Sequence, residues 1–284
     1  MAWRSNAVEM TRRRAGRIDS RRLSRDVFIM ISLAFVVIRL AGVEPWMQAV
    51  DAYAYWKTRF AGDPYAGAVA GQLGAYIYPP VFAQLMTPLV WLPWQPFIAL
   101  WTTILIWAYW YLARDLALPL LLFLPIPFEI VSGNVHLLLA LAIVVGFQHA
   151  AAWLVPLVTK VSPGVGLLWF ALRREWRALG VTFALTGTIV AISFAAAPDL
   201  WREWVDVLAA SESSGLAGTP GWYLPIPLLV RLPAAVILVA WGALTGRAWS
   251  VPVAALLSLP VVWFNSLSML VAVVALRRPG VRAG

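Results

Sequence analysis

Long apolar segments, separated by short polar or basic stretches, dominate this 284-residue sequence. Hydrophobic residues make up 62% of the chain and charged residues only 12%, whereas a soluble domain carries roughly a quarter charged residues. A chain with so little polar surface has to be solvated largely by lipid, and lipid cannot satisfy exposed backbone groups. We therefore predict an all-α, polytopic transmembrane helical bundle. About eight to ten spans fit, at ~20 residues for each span.

Basic residues cluster at the two ends of the sequence. Eight arginines lie within the first 26 residues, which is typical of a cytoplasmic segment that sets membrane orientation and can contact anionic lipid. We predict a basic cytoplasmic tail over 1–26, one membrane domain over 27–276 and a second basic cytoplasmic tail over 277–284. These tails explain much of the net charge of +9. The expected partner is therefore membrane lipid, in the cell membrane, and not nucleic acid.

Two polar stretches between the apolar segments are expected outside the cytoplasm. The first span, 27–43, places the aromatic-rich loop 45–78 on the outer face. The segment 198–222 follows a later span, and its apolar residues recur at helical spacing between charged ones. That pattern predicts a short helix lying in the membrane interface.

Proline and glycine interrupt several of the predicted spans. The segment 116–131 contains three prolines, and 150–172 breaks at Ser162-Pro163-Gly164. The last apolar stretch, 251–276, has two interpretations. One long helix would leave the basic C-terminus outside, whereas a break near 260–265 returns it to the cytoplasm. We prefer the break, because basic flanks favour the cytoplasmic side.

Asp51 is the first candidate for chemistry. It follows the first span and is surrounded by aromatic residues, so partial desolvation would raise its pKa and suit it to act as a general base. The alternative is an ordinary loop aspartate at the N-cap of the helix that follows. With two histidines and no cysteine in the chain, a zinc site is not expected, and we predict no metal and no cofactor.

Ionisable residues within apolar segments are costly and mark functional positions. Arg231 is suited to bind a phosphate in bidentate fashion, or it extends to the interface. Lys160 lies at a Pro-Gly break and has three open roles: anchoring unwound carbonyls, pairing with a carboxylate, or contacting a phosphate. Glu129 and His136 flank a Ser-Gly-Asn turn, which this topology places on the cytoplasmic side, away from Asp51.

A series of motifs runs in order along most of the sequence. It begins with Asp51, Tyr55, Gly62-Asp63-Pro64-Tyr65 and Tyr78-Pro79-Pro80. It continues through Gly133-Asn134-Val135-His136, Thr159-Lys160-Val161-Ser162-Pro163 and Leu257–Asn265. Over about residues 25–276 this series resembles glycosyltransferase family 87, the polyprenol-phosphate-mannose-dependent mannosyltransferases of the GT-C superfamily, with Asn265 in place of a frequent histidine.

This resemblance implies a GT-C-like fold and transfer of a sugar, mannose in the family, from a polyprenyl-phosphate donor. The acceptor is a lipid or glycan on the extracytoplasmic face. Asp51 would act as the general base of an inverting reaction, with Arg231 stabilising the departing lipid phosphate. The other substrate-binding candidates are Tyr55, Tyr78, His136, Lys160 and Asn265.

Two other functions fit the same features. A transporter or flippase of a lipid-linked sugar would also use broken helices and charges within the membrane. A catalytically inactive scaffold subunit of envelope assembly would account for the replacement at Asn265.

Overall fold

The computed structural model describes residues 20–42, 49–60, 63–69, 72, 74–214 and 222–278. Within them, regular structure is helical apart from an isolated antiparallel bridge between Tyr223 and Trp263. This confirms the predicted all-α class. Most of the two predicted basic tails, and parts of both predicted outer segments, lie outside the described residues.

The bounds of the helices show where the predicted apolar segments continue and where they break. In chain order the α-helices of the described residues are α1 (Ser20–Ala41), α2 (Val50–Trp56), α3 (Pro80–Val90), α4 (Trp94–Ala113), α5 (Ala117–Leu120), α6 (Pro125–Ser132), α7 (His136–Gly146), α8 (Leu154–Thr159), α9 (Leu168–Leu172), α10 (Trp176–Ala196), α11 (Pro198–Ser214), α12 (Leu228–Thr245), α13 (Ser250–Leu257) and α14 (Val271–Leu276). Short 3-10 segments join several of them, at Lys57–Phe60, Arg114–Leu116, Ala150–Trp153, Ser162–Leu167 and Phe264–Leu270.

Three helical stretches in the described part of the chain are long and apolar enough to cross a membrane. They are Trp94–Leu120 with 27 residues, Trp176–Ala196 with 21 and Leu228–Thr245 with 18. These three stretches agree with the predicted transmembrane helical bundle. The other apolar helices are shorter or bent, so the count of eight to ten spans stays a prediction.

Three apolar stretches are broken in the middle, and we call them segments A, B and C. Segment A is 125–146, in which α6 and α7 are bent by 110° at the turn between them. Segment B is 150–172, which loses its helix at Lys160 and Val161. Its two arms lie side by side, because the Trp153 and Phe170 rings are 5.9 Å apart.

Segment C, 250–276, shows the break that the sequence predicted. Its helix α13 ends at Leu257, and no helix covers 258–263. The Arg277 guanidinium at its far end lies 4.6 Å from the Trp249 ring at its start. The chain therefore doubles back, and both ends of segment C lie at the same end of the bundle.

The breaks of the three segments meet one another. Ser258 of segment C donates a 2.8 Å hydrogen bond to the Ser162 carbonyl of segment B. Lys160 of segment B contacts Asn134 at the turn of segment A at 3.3 Å. The non-helical backbone of the three breaks therefore contacts protein groups. Irregular backbone that faced lipid would not be tolerated.

The predicted helix within 198–222 is present as α11. Its Trp204 indole donates a 3.1 Å hydrogen bond to the Ile77 carbonyl, just before α3. This contact packs α11 against the same loop that carries Tyr78. The interfacial placement of α11 in a membrane stays a prediction.

Candidate active site

Asp51 lies in the first turn of α2 and not at its N-cap. The helix begins at Val50 after the N-cap residue Ala49, and no side chain caps it, so the N-cap interpretation is wrong. The Asp51 carboxylate is partly buried, and this burial raises its pKa above the ordinary value. A carboxylate with a raised pKa is a stronger base once it is ionised.

The turn of segment A packs directly on α2. Gly133 has φ of 75°, and a Cβ added to it would lie only 2.6 Å from the Ala52 Cβ. A side chain at this position is therefore excluded both by backbone conformation and by space. The Trp101 indole of α4 donates a 2.7 Å hydrogen bond to the Gly133 carbonyl and holds the turn in place.

This contact shows that the predicted location of the Ser-Gly-Asn turn is wrong. The topology had placed it on the side away from Asp51, on the assumption that the segments before and after it were full crossings. Segment A is instead bent at the turn, so Asn134 reaches Asp51. The Asn134 side chain lies beside the Asp51 carboxylate and favours its charged form.

Asn134 connects Asp51 to a lysine. Its amide oxygen accepts hydrogen bonds from the Val135 N–H at 2.7 Å, from the Tyr78 hydroxyl at 3.3 Å and from Lys160 Nζ at 3.3 Å. The amide nitrogen is therefore the group that faces Asp51. Lys160 interacts electrostatically with Asp51, and the ammonium lies 5.6 Å from the centre of the Tyr78 ring.

Glu129 and His136 form a fully buried pair beside Lys160. The His136 backbone N–H donates to Glu129 Oε1 at 2.6 Å, and His136 Nδ1 lies 2.9 Å from Oε2. On the other side of the ring, His136 Nε2 lies 2.8 Å from Lys160 Nζ. Lys160 also interacts electrostatically with Asp51 and Glu129, so the structure supports the carboxylate-pairing role among the three open ones. The phosphate contact stays a prediction.

Tyr55 and Tyr78 form the aromatic wall of this cluster. Their hydroxyls are 2.9 Å apart, and their rings meet edge to face at 5.2 Å. Burial raises the pKa of both phenols well above the ordinary value, so both are neutral hydroxyl groups at physiological pH. They supply donors without adding charge.

Asn265 and Ser266 bring segment C into the cluster. Asn265 Nδ2 donates to Glu129 Oε2 at 3.0 Å and to Ser132 Oγ at 3.2 Å. The Ser266 hydroxyl lies 3.1 Å from His136 Nε2. Asn265 therefore supplies a hydrogen-bond donor to the buried Glu129 carboxylate.

The hydrogen bonds described for Arg231 are to backbone carbonyls outside this cluster. Its guanidinium donates to four carbonyls: Ile226, Leu257 and Leu259 at 2.7 Å each, and Pro260 at 2.8 Å. Three of these carbonyls belong to the break of segment C, where the helix no longer satisfies them. The phosphate-binding role of Arg231 stays a prediction, and the geometry supports a different task, clamping the broken backbone.

The structure thus brings together six of the seven site residues that the sequence indicated. The members are Asp51, Tyr55, Tyr78, His136, Lys160 and Asn265, and the cluster adds Glu129 and Asn134. The sequence signal for Glu129 was a carboxylate inside an apolar run, but the assumed topology assigned it to an ordinary turn. Within the described residues, no three histidine or carboxylate side chains are grouped as metal ligands.

A family model described as Glycosyltransferase family 87 matches residues 76–278, more than half of the chain. The chain belongs to glycosyltransferase family 87. This confirms the resemblance seen in the motifs, and it makes the protein a glycosyltransferase that acts on a sugar donor and an acceptor. The matched region of this family 87 chain contains segments A, B and C and begins after Asp51 and Tyr55. Comparison with curated proteins and with solved structures found no match.

Proposed function

We propose that this family 87 protein transfers mannose from a polyprenyl-phosphate donor to a lipid or glycan acceptor on the extracytoplasmic face of the cell membrane. One observation carries the proposal. Asp51 of α2 and Lys160 meet through Asn134 in one cluster, beside Tyr78 at the end of the loop 45–78. Such a cluster offers a base for an acceptor hydroxyl and a cation for a departing phosphate.

In the proposed reaction, Asp51 accepts the proton of the acceptor hydroxyl as its oxygen attacks the anomeric carbon. The bond between that carbon and the donor phosphate oxygen breaks, and its electron pair leaves with the polyprenyl phosphate. Attack from the opposite face inverts the anomeric configuration. Lys160 stabilises the negative charge that develops on the phosphate, a role that the family resemblance had implied for Arg231.

The lipid-linked nature of the donor has separate support. An apolar cavity of about 170 Å³ lies between α1 and the stretch from α4 to α6, with Phe28, Phe35 and Leu121 among its lining residues. Its lining is apolar except for Ser32 and backbone. An isoprenoid chain is the part of the donor that such a cavity would bury.

The test is transfer of radiolabelled mannose from polyprenyl-phosphate-mannose in membranes that contain the protein. We expect Asp51→Asn to lower the transfer rate by about 100-fold or more, because general-base catalysis contributes ~10²–10⁴. Asp115→Asn is the matched control. Asp115 is an exposed carboxylate that lies 4.0 Å from Arg21, and its variant should keep wild-type activity.

Other outcomes separate the alternatives. Transfer from a nucleotide sugar, but from no polyprenyl-phosphate sugar, would refute the proposed donor class. Counter-flow of labelled lipid in proteoliposomes without a covalent product would indicate a flippase. Complementation of a deletion strain by Asp51→Ala would indicate a scaffold subunit.

A further inference from the structure

The buried Glu129–His136 pair has no direct contact with a reacting group in the proposed reaction, yet it touches Lys160. One carboxylate holds His136 at two points, the backbone N–H at 2.6 Å and ring Nδ1 at 2.9 Å. Both side chains have 0% relative exposure. A two-point hold on a buried residue leaves the imidazole ring little freedom to rotate, so the position of Nε2 is well defined.

The neighbours of Nε2 determine where the ring carries its proton. Lys160 Nζ lies 2.8 Å from Nε2, and an ammonium group has donors only. Nε2 therefore accepts, so the ring proton lies on Nδ1 and donates to Glu129. The Ser266 hydroxyl, 3.1 Å from Nε2, can donate or accept a hydrogen bond and is compatible with this tautomer.

An imidazole is a suitable partner for a lysine that has to bind a phosphate. A neutral acceptor orients the ammonium without neutralising it, whereas a carboxylate in direct contact would form an ion pair. Glu129 supplies the compensating negative charge from the far side of the ring. Lys160 has two hydrogen-bond partners among the described residues, His136 and Asn134, which leaves one N–H of its three for a ligand.

We propose that Glu129 and His136 are positioning residues that hold the Lys160 ammonium toward the leaving phosphate. His136 does so as the neutral Nδ1–H tautomer. Its effect on catalysis rests on the proposed function, but the hydrogen-bonding arrangement does not. Two experiments therefore separate the two claims.

The first experiment is NMR spectroscopy of the protein labelled with ¹⁵N-histidine. The chain contains only two histidines, so His149→Gln leaves His136 as the sole signal. We expect one protonated and one unprotonated ring nitrogen, with couplings to the ring carbon protons that identify Nδ1 as protonated. Lys160→Met should shift the Nε2 resonance, and Glu129→Gln should shift Nδ1. An Nε2–H tautomer, or a ring protonated on both nitrogens, would overturn the proposal.

The second experiment compares two conservative replacements of His136 in the mannose transfer assay. Gln places an acceptor near the position of Nε2 and loses the contact with Glu129. Asn places a donor near the position of Nδ1 and loses the contact with Lys160. If positioning Lys160 is the role of His136, His136→Gln keeps most of the kcat, whereas His136→Asn loses about 100-fold, as a misplaced catalytic group does. The donor KM should change much less in both.

The opposite order of the two variants would show that His136 only braces Glu129 and would overturn the proposal. Melting temperatures of both variants show whether a loss of activity reflects unfolding. If wild-type protein has no transfer activity with the polyprenyl-phosphate donor while NMR shows the Nδ1–H tautomer, the proposed function fails and the hydrogen-bonding arrangement stands.

Discussion

Asn134 joins the two charged groups of the site with a single side chain. Its amide oxygen accepts from Lys160 at 3.3 Å, and its amide nitrogen therefore faces the Asp51 carboxylate. An amide can contact a cation and an anion at once because it carries a strong acceptor and a strong donor. Asn134 thus keeps Asp51 and Lys160 near each other without a direct ion pair, which would neutralise both.

The raised pKa of Asp51 predicts the pH dependence of sugar transfer. The carboxylate acts as a base only when it is deprotonated, so activity falls as pH is lowered through its pKa. Burial raises the pKa of Asp51 above the ordinary value of an aspartate, so we expect the acid limb of kcat/KM at higher pH than for an exposed aspartate. The measurement is a pH profile for wild type and Asp51→Asn. A wild-type profile that stays flat down to the stability limit, or the same limb in the variant, would remove Asp51 from the mechanism.

Gly133→Ala tests the contact between segment A and α2. An alanine at positive φ costs about 1–2 kcal/mol, and crowding against Ala52 adds about 1–3 kcal/mol. Gly246→Ala is the matched control, because Gly246 has φ of 68° and open space around its Cβ position. We expect Gly133→Ala to lower both the melting temperature and transfer activity, and Gly246→Ala to lower the melting temperature slightly. Equal effects would show that the close approach to Ala52 is unimportant.

Broken helices require partners for the backbone groups that they release, and two arginines provide them. Arg231 of α12 binds three carbonyls at the break of segment C. Arg39 of α1 donates to the Ile130 and Val131 carbonyls near the end of α6, and it is only 4% exposed. Each arginine comes from a neighbouring helix, so the position of a broken segment depends on the packing of a continuous one.

Arg231→Lys tests this clamping role. Lysine keeps the charge but loses the planar fork that reaches several carbonyls at once. Each unsatisfied buried carbonyl costs about 1–3 kcal/mol, so we expect a clear fall in melting temperature. Arg247→Lys, an exposed residue just after α12 that lies over Trp241, should change stability by less than about 0.5 kcal/mol. A raised donor KM in Arg231→Lys with unchanged stability would instead favour the phosphate-binding role.

On the scale of the whole molecule, the described residues place the candidate site and a group of basic side chains at opposite ends of α4. The α2 helix that carries Asp51 is at one end, because its Tyr53 ring lies 5.9 Å from the ring of Trp94, where α4 begins. At the other end Arg278 donates a hydrogen bond to the carbonyl of Ala113, the last residue of α4. Arg278 and its charged neighbour Arg114 therefore place basic side chains at the end opposite to the site. This asymmetry agrees with the predicted cytoplasmic position of the C-terminal tail.

The absence of cysteine from the sequence makes this orientation directly testable. Single cysteines can be introduced at Ala66 in the loop and at Thr245 at the end of α12, both of which are exposed. In intact cells we expect a membrane-impermeant maleimide to label Ala66→Cys but not Thr245→Cys. Labelling of both should follow once the membrane is permeabilised. The reverse pattern in intact cells would invert the proposed topology.

The sequence by itself determined that this chain is a helical membrane protein, since 62% hydrophobic residues leave too little polar surface for water. The sequence also indicated the break in segment C, which contains Pro260, and it indicated the family through the order of its motifs. Both are features that can be read directly along the chain. Asp51, Tyr78, His136, Lys160 and Asn265 could be named as site candidates for the same reason.

Only the tertiary structure decided which of these residues meet. Hydropathy counts apolar residues but does not distinguish a segment that crosses from one that bends at its centre, so Glu129 was assigned to the wrong side. The contact between Gly133 and Ala52 brings Asn134 to Asp51, and the carbonyls of segment C engage Arg231. These outcomes depend on packing between segments far apart in the chain. The residue type at a single position does not predict that packing.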